Sequence, residues 1–108
     1  ELPGAMEDYN RAIQLDPKYA AAYYHRSLAR RTKRDLRGAV ADLNRAIELD
    51  PRMADAYAYR GTQYASQGDF RAAVADFEKA LQVAPGNWRF RKKVKGYLEK
   101  ARKKLAGK

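Results

Sequence analysis

Apolar residues recur every three or four positions along most of this chain. Ala39, Val40, Leu43, Ala46 and Ile47 trace one stripe, and Ala73, Val74, Phe77, Ala80 and Leu81 trace a second in the same arrangement. A period near 3.6 predicts amphipathic helices rather than strands. The boundaries carry matching signals. Asp35 and Asp69 are placed to N-cap the helices that follow them, Gly68 to close the helix before it, and proline to stop each helix that reaches it. A third stripe runs through Phe90, Val94, Tyr97, Leu98, Ala101 and Leu105. Its opposite face is Arg91, Lys92, Lys95, Lys100, Arg102, Lys103 and Lys104, which predicts a terminal helix with one apolar side and one strongly basic side.

The helical segments repeat. Asp16-Pro17, Asp50-Pro51 and Ala84-Pro85 are each 34 residues apart, and the segments between them align. Residues 37–47 match 71–81, and residues 3–13 repeat the same half once more. Residues 20–30 match 54–64 more loosely. A two-helix unit at this period cannot bury its apolar face alone and stacks on its neighbours. The expected organisation is a single domain over 1–108, divided into a half repeat (1–19), two full repeats (20–53 and 54–87) and a basic capping helix (88–108). In each full repeat helix A is followed by a tight turn and helix B.

These residues resemble the tetratricopeptide repeat. The third unit has Tyr57, Gly61, Tyr64, Ala73, Phe77, Ala80 and Pro85 at the family's spacings, with Arg60 in place of a leucine. The second keeps Tyr23, Ala39, Ala46 and Pro51 but has Ser27, Leu43 and Arg30 where glycine, phenylalanine and tyrosine are usual. The first contributes Ala5, Tyr9, Ala12 and Pro17. The resemblance implies an all-α fold, a right-handed superhelical α-solenoid of antiparallel helix pairs. Small residues let helices A and B approach closely, while Tyr23, Tyr57, Tyr64 and Phe77 fill the gaps.

The resemblance also implies a non-catalytic scaffold for protein–protein interaction, whose A helices line a concave groove for a peptide of another protein. The positions that carry over are Tyr24, His25, Leu28, Arg31 and Thr32, then Asp55, Tyr59, Thr62 and Ser66, then Arg89, Lys92, Lys93 and Gly96. The set is aromatic at one end and cationic at the other. It suits a peptide with an apolar side chain and an acidic group, with Arg89 and Lys93 expected one helical turn apart to hold the anion. In the co-chaperone branch of the family, Lys and Asn, then Asn, then a Lys/Arg pair clamp a C-terminal carboxylate. Here Tyr24, Leu28 and Tyr59 stand where the first three belong, and only Arg89 and Lys93 have counterparts. A chaperone-tail ligand is therefore not expected.

Charge changes the picture in one place. The net charge is +10, yet residues 1–86 hold 13 Lys/Arg against 12 Asp/Glu, whereas residues 87–108 hold 10 against Glu99 alone. A lysine-rich face on a capping helix reads first as a solubilising surface; polyanion binding (nucleic acid or an acidic surface) through it is the rival function, supported by the cluster Arg26, Arg30, Arg31, Lys33, Arg34 and Arg37. Arg30 occupies a position where the family packs a tyrosine, so it must reach solvent or meet an acid. No nucleic-acid motif accompanies these charges.

Other chemistry is thin. There is no cysteine, which removes disulfides and thiolate sites and leaves the compartment open with a lean to the cytoplasm. His25 is the only histidine, and a lone imidazole makes neither a zinc site nor a triad. No nucleophile with a base and no phosphate loop is present, and acids such as Asp42, Glu48, Asp76 and Glu78 read as solvent-facing. Neither an enzyme nor a cofactor is expected. No apolar run is long enough to span a membrane. The opening residues Glu1-Leu2-Pro3-Gly4 suggest a fragment of a longer array. The first helix B lacks a helix A, so Met6, Tyr9, Ile13 and Tyr19 are expected to leave an uncovered edge through which copies associate into a homo-oligomer.

Overall fold

The computed structural model describes residues 4–107 and consists of six α-helices: α1 (Ala5–Leu15), α2 (Ala20–Thr32), α3 (Leu36–Leu49), α4 (Ala54–Ser66), α5 (Phe70–Val83) and α6 (Arg91–Gly107). Pro3, where the alignment of the first helix B begins, lies outside the described residues. The contacts gather into two compact units, one up to Pro51 and one from Arg52 onward. In the first, α2 packs on α3 and on α1. In the second, α5 lies between α4 and α6, with a smaller contact from α4 to α6.

Helices A and B meet over small side chains. Ala39 and Ala46 in α3, and Ala73 and Ala80 in α5, are almost completely buried. Gly61 in α4 faces Phe77 so closely that a Cβ built there would lie 2.6 Å from the phenylalanine ring. Ser27 occupies the corresponding place in α2 and is also buried, its hydroxyl donating to the Tyr24 carbonyl. Leu43 and Phe77 are the large fillers opposite them. The last helix buries Val94, Leu98 and Ala101, and Phe77 and Tyr97 meet with ring centroids 5.8 Å apart. By contrast, α1 buries none of its residues fully, and Tyr19 is half exposed.

The turns between A and B follow one scheme in both units. The chain leaves helix A through a residue with positive φ, Arg34 (68°) in the first unit and Gly68 (83°) in the second. The next amide, of Asp35 or Asp69, then bonds back to the carbonyl of Arg30 or Tyr64 at 2.8 and 2.9 Å. This back-bond satisfies a carbonyl left over at the helix end. The same aspartates cap helix B, accepting from the amides of Gly38 (2.9 Å) and Ala72 (3.2 Å). Asp50 closes α3 by donating its amide to Ala46, and Pro51 follows.

Two stability changes should follow. Gly61→Ala is expected to lower stability by about 1–3 kcal/mol, because the new methyl group overpacks a rigid aromatic. Arg34→Gly removes a left-handed non-glycine residue and is expected to raise it by about 1 kcal/mol. Urea unfolding followed by circular dichroism measures both changes.

Candidate functional site

Each unit carries a bidentate ion pair between its helices A and B. In the second, Arg60 of α4 donates to both carboxylate oxygens of Asp76 in α5, at 2.8 and 2.7 Å. In the first, Arg26 of α2 donates to both oxygens of Asp42 in α3, at 2.9 and 2.7 Å, and also to Asn10 of α1 at 2.9 Å. Asp42 and Asp76 are only 3% and 5% exposed, so the expectation of solvent-facing acids fails at these two positions. The signal was available. Both members of the pair recur at an interval of 34, which an unpaired surface charge has no reason to do.

The surroundings strengthen these pairs. The Arg60 guanidinium sits 5.9 Å from the ring centroids of both Tyr57 and Tyr64, and that of Arg26 sits 5.7 Å from Tyr23. Arg30 takes the second course open to it by meeting an acid, lying 3.6 Å from Asp42. Hydrogen bonding to Asp42 and Asp76 holds Arg26 and Arg60 above the ordinary guanidinium pKa, against the opposing effect of burial. These groups tie helices together and are not free to meet a ligand.

The outward faces of the A helices are what remain. On α2, Tyr24 and Leu28 are half-buried while His25 and Arg31 are exposed. His25 stacks on Tyr9 of α1 with centroids 5.9 Å apart and meets Tyr24 edge-on at 5.3 Å. Tyr9 is thus a member of this aromatic cluster. Its repeat position marks it as a packing residue, which conceals that role in the sequence. On α4, Tyr59 and Thr62 are half-buried. Several hydroxyl groups are used locally: Thr62, Ser66 and Thr32 donate to the carbonyls of Tyr59, Gln63 and Leu28.

Three expectations near the last helix need correction. Arg89 lies in the turn before α6 rather than on it, so helical spacing to Lys93 does not apply; its guanidinium lies 4.7 Å from the Phe90 ring centroid. Asp55 is engaged as well, accepting from the indole N–H of Trp88 at 2.7 Å. Arg91 is not part of the solvent face. It donates to the carbonyls of Ala84 and Pro85 at 3.0 and 2.9 Å and thereby holds the turn between α5 and α6. Lys92, Lys93 and Gly96 are exposed. Among the described residues, no three His, Cys, Asp or Glu side chains gather as a metal site. Among the same residues, no helix is long and apolar enough to cross a membrane.

Comparison with known proteins agrees with this geometry. Family models described as tetratricopeptide repeat match residues 20–53 and 54–87, and one described as TPR repeat matches residues 1–33. The chain belongs to the tetratricopeptide-repeat family, and its fold is the all-α solenoid of that family. A similar solved structure is the TPR2B domain of yeast Sti1 in its pHsp70 complex. It is 25% identical, with a TM-score of 0.84 over 94% of this chain and 82% of that one. Another is the first TPR of Spaghetti (RPAP3) bound to the HSP90 peptide SRMEEVD. It is 24% identical, with a TM-score of 0.81 over 94% of this chain and 77% of that one. A search of the curated proteins found no match.

Breaking one ion pair tests its weight. Arg60→Met leaves the buried Asp76 without its guanidinium and is expected to cost about 3 kcal/mol, much of which the double change Arg60→Met, Asp76→Leu recovers. Because the Arg60 pKa is raised, its contribution is fully present below the ordinary guanidinium value and is lost only as pH climbs through the raised one. Unfolding measured between about pH 6 and 10 should therefore show no loss of stability from this group.

Proposed function

We propose that this chain is a non-catalytic protein-interaction module that binds a peptide segment of a partner through the outward faces of its A helices. The observation that carries this reading is a division of labour along α2 and α4. One side of each helix is committed to helix B through small residues and the Arg–Asp pair. The other side presents Tyr24, His25, Leu28 and Arg31 on α2, and Tyr59 and Thr62 on α4. Family membership supports the same reading, as does the likeness to the yeast Sti1 domain, whose structure is a complex with pHsp70.

The chemistry of these faces sets the ligand class. Tyr24, His25 and Tyr59 offer wide, stiff contact area, and Arg31 with Arg89, Lys92 and Lys93 offers cationic groups, which favours a peptide that combines an apolar anchor with an acidic group. Aromatic and aliphatic residues stand in place of the amide and ammonium groups of a carboxylate clamp at Tyr24, Leu28 and Tyr59. SRMEEVD is accordingly expected to be a poor ligand.

Peptides selected from a random display library should bind with Kd near ~1–10 μM, about 7–8 kcal/mol. Tyr24→Ala and Tyr59→Ala should each weaken binding about tenfold, or ~1.4 kcal/mol, because each removes an aromatic anchor. Isothermal calorimetry at 50 and 200 mM salt should show little change. Micromolar binding of SRMEEVD that is indifferent to Tyr24→Ala would contradict the reading.

A further inference from the structure

Helix α6 carries a lysine stripe that extends well beyond the Lys92 and Lys93 assigned to peptide recognition. Viewed down its axis at about 100° per residue, Lys92, Lys93, Lys100, Lys103 and Lys104 fall within about 120° of the circumference. All five are exposed. The stripe runs from Lys92 to Lys104, about 18 Å at 1.5 Å per residue. Gly96 and Gly107 lie in the same sector. A Cβ at either would meet nothing within 4 Å, so packing does not demand glycine there. A glycine in the middle of a helix is destabilising, and at this place it leaves bare backbone between lysines. At the far end Lys100, Lys103, Lys104 and Gly107 line a shallow open depression. Of the other basic residues of the helix, Arg91 holds the preceding turn, Arg102 pairs with Glu78 at 2.7 Å, and the exposed Lys95 lies outside this sector.

We propose that this lysine stripe is a second binding surface, sharing only Lys92 and Lys93 with the proposed peptide-binding set, and that its occupant is the phosphate backbone of double-stranded nucleic acid, bound without regard to sequence. Three observations favour that occupant. A duplex presents about one negative charge per 1.7 Å of its axis, so an 18 Å stripe of lysines meets a dense row of phosphates. Lysine is a point charge without the planar fork that reads base edges, and none of the five stripe residues is aromatic, which disfavours recognition of single strands by stacking. The apolar side of the helix is already used, with Val94, Leu98 and Ala101 buried against the fold, so the helix has no apolar face to lay into a lipid boundary.

The test is fluorescence anisotropy with labelled 20-base-pair duplexes of two unrelated sequences, using the full chain. Both should bind alike. If all five lysines meet phosphate, log K should fall with log salt at a slope of about −4.5, which is several hundred-fold in affinity between 50 and 200 mM salt. Lys100→Gln, Lys103→Gln and Lys104→Gln together should reduce the slope to about −2, because three phosphate contacts are gone. The triple variant should leave affinity for a selected peptide unchanged. A charge-matched control, Arg11→Gln, Lys18→Gln and Arg71→Gln, removes three exposed cations elsewhere and should keep most of the slope. Gly96→Glu should weaken duplex binding at least tenfold by placing a carboxylate among the lysines. An equal loss in the charge-matched control overturns the proposal, as does absence of duplex binding at 50 mM salt. Tighter binding to vesicles of phosphatidylcholine with 30% phosphatidylserine than to either duplex also overturns it.

Discussion

The close approach of helix A to helix B is the constraint on which the rest of this structure depends. It is possible only because the facing positions are small: Ala39 and Ala46 in α3, Ala73 and Ala80 in α5, Ser27 in α2 and Gly61 in α4. Small residues bury little apolar area of their own, so each pair also needs a large filler, Leu43 or Phe77, and a polar tie. The tie is the bidentate arginine–aspartate pair, Arg26 with Asp42 and Arg60 with Asp76. A carboxylate this buried is tolerable because both of its oxygens accept from a guanidinium that is itself set against tyrosine rings.

That arrangement decides what is left for function. One face of each helix A is committed to helix B, which leaves the outward face as the one proposed for binding. Much of the basic character along α2 and α4 is neutralised within the fold: Arg26 and Arg30 lie against Asp42, and Arg60 against Asp76. The charge that remains is concentrated on α6, whose apolar side is buried. The proposed peptide-binding faces and the proposed lysine stripe both follow from the same packing rule.

Much of the architecture is legible in the sequence because repetition amplifies weak signals. A single proline step says little, whereas three of them at one interval, Asp16-Pro17, Asp50-Pro51 and Ala84-Pro85, define a two-helix unit, and the caps Asp35 and Asp69 follow from their place in it. The residues that were not legible are those whose partners are distant in sequence or whose role departs from the repeat. Asp42 and Asp76 look like surface acids until paired with arginines sixteen positions earlier. Arg34 holds a left-handed conformation without the glycine that announces it at Gly68. Arg91 and Asp55 have the chemistry of ligand-facing groups, yet hydrogen bonds to Ala84, Pro85 and Trp88 commit them to the turn before α6. Tyr9 has the repeat position of a core residue but stacks on His25.

The division of each helix A into a packing face and a ligand face is most directly tested by amide chemical-shift mapping of a 15N-labelled chain during titration with a selected peptide. Shifts concentrated at Tyr24, His25, Leu28 and Arg31 on α2, and at Tyr59 and Thr62 on α4, are the predicted result. Shifts concentrated instead on the solvent faces of α3 and α5, with the residues of α2 and α4 unmoved, would contradict it.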